Sequence, residues 1–163
     1  MRQVRKLKTI ARRFRFGITV TLCSCGLGGC EYEIPITSSP TRQVDERLVA
    51  NWVSSNGKDM MKVRKLDEST YIVSYNGYLF RAYHSDIDQT AFVSVQDIDS
   101  AERKYCYRTW RLIDDSQTLV LHTVDNKVIP KETKDPAVVR KLLRENLNNP
   151  ELLNDETHFT RKT

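Results

Sequence analysis

Past Cys30 the chain holds only two glycines, Gly57 and Gly77. That scarcity excludes a glycine-rich phosphate loop and a Gly-x-Ser-x-Gly nucleophile elbow. Both need several glycines at fixed spacing, so that backbone can approach a phosphate or turn sharply under a serine. Cysteine is as scarce, since only Cys106 follows Cys30. A lone thiol forms no internal disulfide, so the chain beyond Cys30 must hold itself together with an apolar core. Cys106 itself sits in an apolar, aromatic pattern and reads as a buried small hydrophobe. His84, His122 and His158 are far apart. They share no ligand spacing, so they read as strand-end or surface side chains, and no metal site is expected. Asp86-Ile87-Asp88 and Asp97-Ile98-Asp99 pair carboxylates but lack the glycine and distal glutamate of a calcium loop. They read as solvated turn acids. No catalytic constellation emerges. A hydrolase or isomerase would need an acid/base pair that the sequence does not display.

Acidic residues are absent from the first thirty positions, where Arg2, Arg5, Lys6, Lys8, Arg12, Arg13 and Arg15 stand. A mostly apolar stretch follows at residues 16–27. It is shorter than the roughly 20 residues of a spanning helix. A basic region followed by a short apolar one is the pattern of an export signal. Seven of the 26 basic residues precede residue 30, leaving 19 against 21 acids, a net of −2. The basic character thus belongs to the leader, and no nucleic-acid partner is implied.

The apolar stretch closes on Leu27-Gly28-Gly29-Cys30. This resembles the lipobox of bacterial lipoproteins, in which an aliphatic and two small residues precede the acylated cysteine. The small residues have a physical reason, because the peptidase must draw extended backbone into its site. The resemblance implies that residues 1–29 are removed and that Cys30 carries a covalent lipid, with no other cofactor. The mature protein would be anchored in the cell envelope and face the periplasm. Glu31, next to the lipidated cysteine, leans toward the outer membrane in systems of this kind. Three acyl chains, at ~0.8 kcal/mol per buried CH₂, would hold it firmly. Residues 31–47 carry Pro35, Pro40 and a Ser/Thr cluster without periodicity. With Cys30 they read as a flexible tether over 30–47.

From residue 48 to 163 the pattern becomes short strands between turns. Expected strands are 48–54, 60–66, 70–75, 78–84, 91–96, 103–113 and 118–124, with a last one over 157–162. Asn56-Gly57 and Asn76-Gly77 carry the signal of type I′ hairpins, which need two positive φ angles. Between the last two strands the period changes. Asp135 can cap a helix with Pro136 at its first position, and Val138, Val139, Leu142, Leu143 and Leu147 form its apolar stripe. That stripe reads as packing against the strands, with a partner-binding surface as the alternative. The expected fold is mainly β: a small antiparallel up-and-down barrel of about eight strands with one amphipathic helix before the last strand. Closure would account for strands that are apolar on both faces. A β-sandwich or another small barrel fits the same strand pattern.

Leu48-Val49-Ala50-Asn51-Trp52 resembles the opening strand of lipocalins, with Ala50 where that family has glycine. Phe159-Thr160-Arg161 is similar to the close of bacterial lipocalin-like domains. The resemblance implies that Trp52 and Arg161 stack and seal one end of the barrel, and that the interior takes a small hydrophobic or amphipathic ligand. Candidate lining residues are Tyr71, Tyr75, Tyr83, Phe92, Tyr105, Tyr107 and Trp110, with Arg81 and Arg108 to meet a carboxylate or headgroup if they point inward. The competing expectation is an interior filled by these aromatics alone, since eight strands enclose little more than side chains can fill. A filled barrel would make the protein a structural module of the envelope with a protein partner.

Overall fold

A computed structural model describes residues 31–162. The expected signal, the lipobox and Cys30 lie outside these residues. Eight strands close into an antiparallel barrel in chain order. They are β1 (Asn51–Ser54), β2 (Met60–Lys65), β3 (Thr70–Tyr75), β4 (Tyr78–His84), β5 (Phe92–Asp97), β6 (Tyr105–Ile113), β7 (Thr118–Val124) and β8 (Leu153–Lys162). The sequence neighbours pair, and β1 pairs with β8 to close the ring, Trp52 opposite Arg161. Closure leaves no unpaired edge, which is what a strand apolar on both sides requires. The helix α1 (Pro136–Glu145) comes before β8, and Asp135 caps it by accepting the Ala137 N–H at 2.8 Å.

Pleat parity divides each strand between two cores. On β6, Cys106, Trp110 and Leu112 belong to the interior, while Tyr105 and Tyr107 belong to an outer cluster. The interior holds Trp52, Met61, Tyr71, Tyr75, Phe80 and Phe159 among others. The outer core lies between the barrel wall and α1, where Val139 and Leu143 meet Phe92, Tyr107 and Val124. Val139 and Leu143 of the expected stripe therefore pack against strands, Leu142 and Leu147 are partly buried there, and Val138 is exposed.

The flexible tether expected over 30–47 is not what the structure shows for residues 31–47. Residues 31–37 form a strap laid over the outer face of β4 to β6, and residues 41–47 cross the barrel end, where the Val44 N–H donates to the Glu68 carbonyl at 3.0 Å. Tyr32 is 2 % exposed and Ile36 0 %. Tyr32 exchanges backbone hydrogen bonds with Tyr105 at 3.0 and 2.7 Å, and its ring stacks on Tyr107 at 3.8 Å. Three hydroxyls supply what a strand ladder would have supplied. Tyr107 donates to the Ile34 carbonyl at 2.8 Å, Tyr83 donates to that of Thr37 at 2.7 Å, and Ser94 accepts the Ile36 N–H at 3.0 Å. Tyr32, Ile34 and Ile36 alternate, so the proline- and serine-rich text conceals a short apolar face.

Two local expectations also change. Leu48 does not open β1. It ends a 3-10 turn (Glu46–Leu48) whose cap is Asp45, accepting the Arg47 N–H at 3.0 Å. Asn56-Gly57 does not form a type I′ turn. Only Gly57 has positive φ, at 73°, and Asn56 instead accepts the Lys58 N–H on its side chain at 2.9 Å. At Asn76 and Gly77 both φ angles are positive, 49° and 95°, as the expected hairpin turn needs.

Candidate functional site

One end of the barrel is sealed. The Arg161 guanidinium lies 4.8 Å from the Trp52 ring centre. It also donates to the carbonyls of Arg47 and of Ser116, the latter at 3.2 Å. The Trp52 indole N–H donates to the Leu48 carbonyl at 3.0 Å. The 3-10 turn is thereby tied across the opening.

Of the nine candidate lining residues, the structure turns four inward: Tyr71, Tyr75, Arg108 and Trp110. The first two and Trp110 contact the interior core, and Arg108 shares the parity of Cys106 and Trp110 on β6. Tyr83, Phe92, Tyr105 and Tyr107 point outward instead. Phe92, Tyr105 and Tyr107 pack into the outer core, and Tyr83 is buried under the strap through its bond to Thr37. Arg81 is exposed on the outer face. The error is one of sidedness, because a strand read as text does not say which parity faces in when both faces are covered.

The residue that sequence reasoning missed is His84. It was expected at a strand end or on the surface, and it does end β4, yet it is 0 % exposed. Its parity with Phe80 and Ala82 was the available signal. The ring nitrogen Nε2 lies 2.7 Å from the Tyr71 hydroxyl. That hydroxyl accepts the Asp45 N–H at 2.6 Å, which leaves its own proton for Nε2. The neutral imidazole then carries its hydrogen on Nδ1. Burial, aided by Arg42, holds the His84 pKa down to about 4, so the neutral form persists. Burial likewise pushes the Tyr71 hydroxyl up to about 12.

Around His84 several polar atoms lack partners among the described residues. His84 Nδ1, Trp110 Nε1, Arg108 Nε and Asp86 Oδ1 are buried with no hydrogen bond. The His84 and Trp110 rings are 5.5 Å apart. The Arg42 guanidinium sits 5.3 Å from the Trp110 ring and pairs with Asp86 at 2.8 Å. Arg108 is 9 % exposed and donates to Thr123 Oγ1. Among the described residues it makes no ion pair, so its charge is buried without a counter-charge. A buried donor with no acceptor costs roughly 1–3 kcal/mol.

The inner wall near these groups is incompletely covered. Val93, Trp110, Leu112 and Leu121 touch the interior core but stay only partly buried. At the other end of the barrel a cavity of about 140 Å³ reaches Cys106 and Thr123, with Glu31, Asp125 and Asp155 on its rim. Among the described residues, no group of three or more His, Cys, Asp and Glu side chains converges as metal ligands would. Asp88 pairs with Arg144 at 3.1 Å, and Asp97 accepts the N–H groups of Asp99 and Ser100 at 3.0 Å each. No protein-family model, curated protein or solved structure matches the chain.

Proposed function

We propose that this protein is an envelope lipoprotein, acylated at Cys30, whose lipocalin-like barrel binds a small hydrophobic or amphipathic molecule. The observation that carries the ligand reading is the half-covered inner wall of Val93, Trp110, Leu112 and Leu121. Apolar surface left in reach of water costs about 25 cal/mol per Å². An apolar ligand laid along that wall would remove the cost.

The anchor reading rests on the lipobox, and the strap adds geometry to it. Only Glu31 separates Cys30 from the buried Tyr32, and Glu31 is itself engaged by Asn126 at 2.5 Å and Lys131 at 3.6 Å. An acyl chain on Cys30 would therefore hold the barrel against the bilayer, on the periplasmic face. The lean from Glu31 is toward the outer membrane.

Native mass spectrometry of the mature protein tests the ligand reading. Excess mass that vanishes on denaturation is the expected result, and a clean apo mass in the presence of a lipid extract would overturn it. A second reading has its own observation. Trp52, Tyr71, Tyr75, Phe80 and Phe159 already fill much of the interior. A filled barrel would be a protein-interaction module of the envelope, and cross-linking in cells would then capture a discrete envelope partner.

A further inference from the structure

An up-and-down barrel puts alternate turns at the same end. The β1–β2, β3–β4 and β5–β6 turns share the end opposite the Trp52 and Arg161 seal. Five large apolar side chains are exposed among the described residues, and three of them gather at the turns of that end. Met60 opens β2, and Tyr78 and Leu79 open β4, whereas Leu66 follows β2 at the other end and Val138 lies on α1. The two tips form one edge, because Asn76 of the β3–β4 turn accepts the Met60 N–H on its side chain at 2.9 Å and donates its own N–H to the Met60 carbonyl at 3.0 Å. Further along the same outward face stand Lys62, two residues after Met60, and Arg81, two after Leu79. Both are exposed, and neither makes an ion pair among the described residues. The nearby acids are engaged by the turns: Asp59 accepts from the Asn76 side chain at 2.8 Å, and Asp99 accepts the Leu79 N–H at 2.7 Å. The edge is therefore apolar at its tip and basic about 7 Å behind it. That spacing matches the about 5–10 Å to which surface-bound elements enter the boundary between headgroups and acyl chains. Tyr78 adds an aromatic ring with a polar tip, the side chain that favours headgroup depth.

The chain toward Cys30 leaves from the same end. Tyr32 is buried and bonded to Tyr105, the first residue of β6. Two residues span at most about 7 Å, so Cys30 lies within that reach of Tyr32. Strands β6 and β2 are four places apart in a ring of eight, so the anchor point and the apolar edge stand on opposite sides of one barrel end. A plane that touches both lies across that end. On the anchor side Glu31, Glu33 and Glu102 are matched by Lys131, Lys134 and Lys104, which tempers their repulsion from lipid phosphates. We propose that the β2–β4 edge is a membrane-contact site whose occupant is a phospholipid surface. Met60, Tyr78 and Leu79 enter it, and Lys62 and Arg81 meet its phosphates. This rests on the reading of Cys30 as a lipid anchor and adds an orientation to it, with the barrel standing end-on over the bilayer. The cavity that reaches Cys106 then opens toward the lipid, and the end crossed by residues 41–47 faces away.

The test reads lipid contact at both ends of the barrel. The full chain, taken from cell membranes in detergent, is returned to vesicles of phosphatidylcholine and phosphatidylglycerol with brominated acyl chains, which quench tryptophan on contact. Tyr78→Trp and Leu66→Trp each add one exposed reporter to the same background of Trp52 and Trp110. The added fluorescence of Tyr78→Trp should be quenched and that of Leu66→Trp should not. Met60→Ser together with Leu79→Ser should lower the quenching at position 78 severalfold, and Lys62→Gln together with Arg81→Gln should lower it in vesicles that contain phosphatidylglycerol. All these positions are exposed, and unchanged thermal unfolding checks that the fold survives. Mass measurement of the peptide that begins at Cys30 reports acylation separately. Quenching at position 66 equal to or above that at 78, or none at either while the protein floats with the vesicles, would overturn the edge and leave the anchor standing; the exposed side chains would then be a surface for a protein. An unacylated Cys30 with quenching at 78 alone would overturn the anchor and leave the edge. A protein that does not stay with the vesicles would overturn both.

Discussion

Trp52 and Arg161 are direct cross-strand partners on the pair that closes the barrel, and the guanidinium lies over the indole at 4.8 Å. One contact therefore joins the first strand to the last and seals an end. Trp52→Ala should cost about 3–5 kcal/mol, the usual loss for a buried tryptophan. A double-mutant cycle in urea with Arg161→Ala should return a coupling of about 0.5–1 kcal/mol or more. Additive losses would mean that the pair is adjacent without interacting.

His84 makes stability depend on pH. Burial holds its folded pKa near 4, against 6.5 for the ordinary imidazole. Between those values the unfolded chain binds a proton that the folded chain refuses, so stability falls as pH drops through that window. The full loss is at most about 3 kcal/mol. Asp86, whose carboxyl burial raises, acts in the opposite sense at the acid end. Wild type must therefore be compared with His84→Gln. Unfolding midpoints between pH 7 and pH 4 should fall less steeply in the variant, and parallel curves would refute the assignment.

The strap predicts a stability effect far from the barrel interior. Tyr32→Ala should cost about 3–5 kcal/mol, as for other buried aromatics. Tyr32→Phe should cost about 1 kcal/mol, because it leaves the Ile129 carbonyl without its 2.9 Å donor. Amide exchange at Tyr32 should be slow, since its N–H bonds to the Tyr105 carbonyl at 3.0 Å. Fast exchange there would restore the flexible tether.

Gly77 sits at φ 95° in the β3–β4 turn, where a side chain is strained although the space around it is open. Gly77→Ala should cost about 1–2 kcal/mol. Gly77→Asn, which tolerates positive φ, should cost less. Equal losses in thermal unfolding would point to some cause other than backbone strain.

Cys30→Ser should abolish acylation. Labelling in cells with a palmitate analogue reads this directly, and label that persisted in the variant would remove the anchor from the proposal.

Much of the barrel was legible because hairpins are local. Strands β3, β4 and β7 carry the expected limits, since turn residues and period-2 alternation lie within a few positions of one another. The helix was legible for the same reason, from the Asp135 cap and its apolar stripe. The strap was not. Its backbone is satisfied by hydroxyls of Tyr83, Ser94 and Tyr107, 46 to 73 residues away in sequence, and no local pattern announces such partners. The lining was half legible. Aromatic strands were evident, but Tyr107 and Tyr71 look alike until the helix and strap cover one face.

By itself, then, the sequence determined the local elements, their order and the type of residue at each strand position. Turn dihedrals and side-chain alternation are properties of a few consecutive residues, so they can be read in line. Tertiary structure alone decided which parity faces inward and that residues 31–47 pack. It also decided that His84, Trp110 and Arg108 share one wall with their donors unmet. Those outcomes depend on pairing across the closed sheet, where residues 24 positions apart become neighbours in a row. Burial then fixes which polar groups keep water and which must find another acceptor.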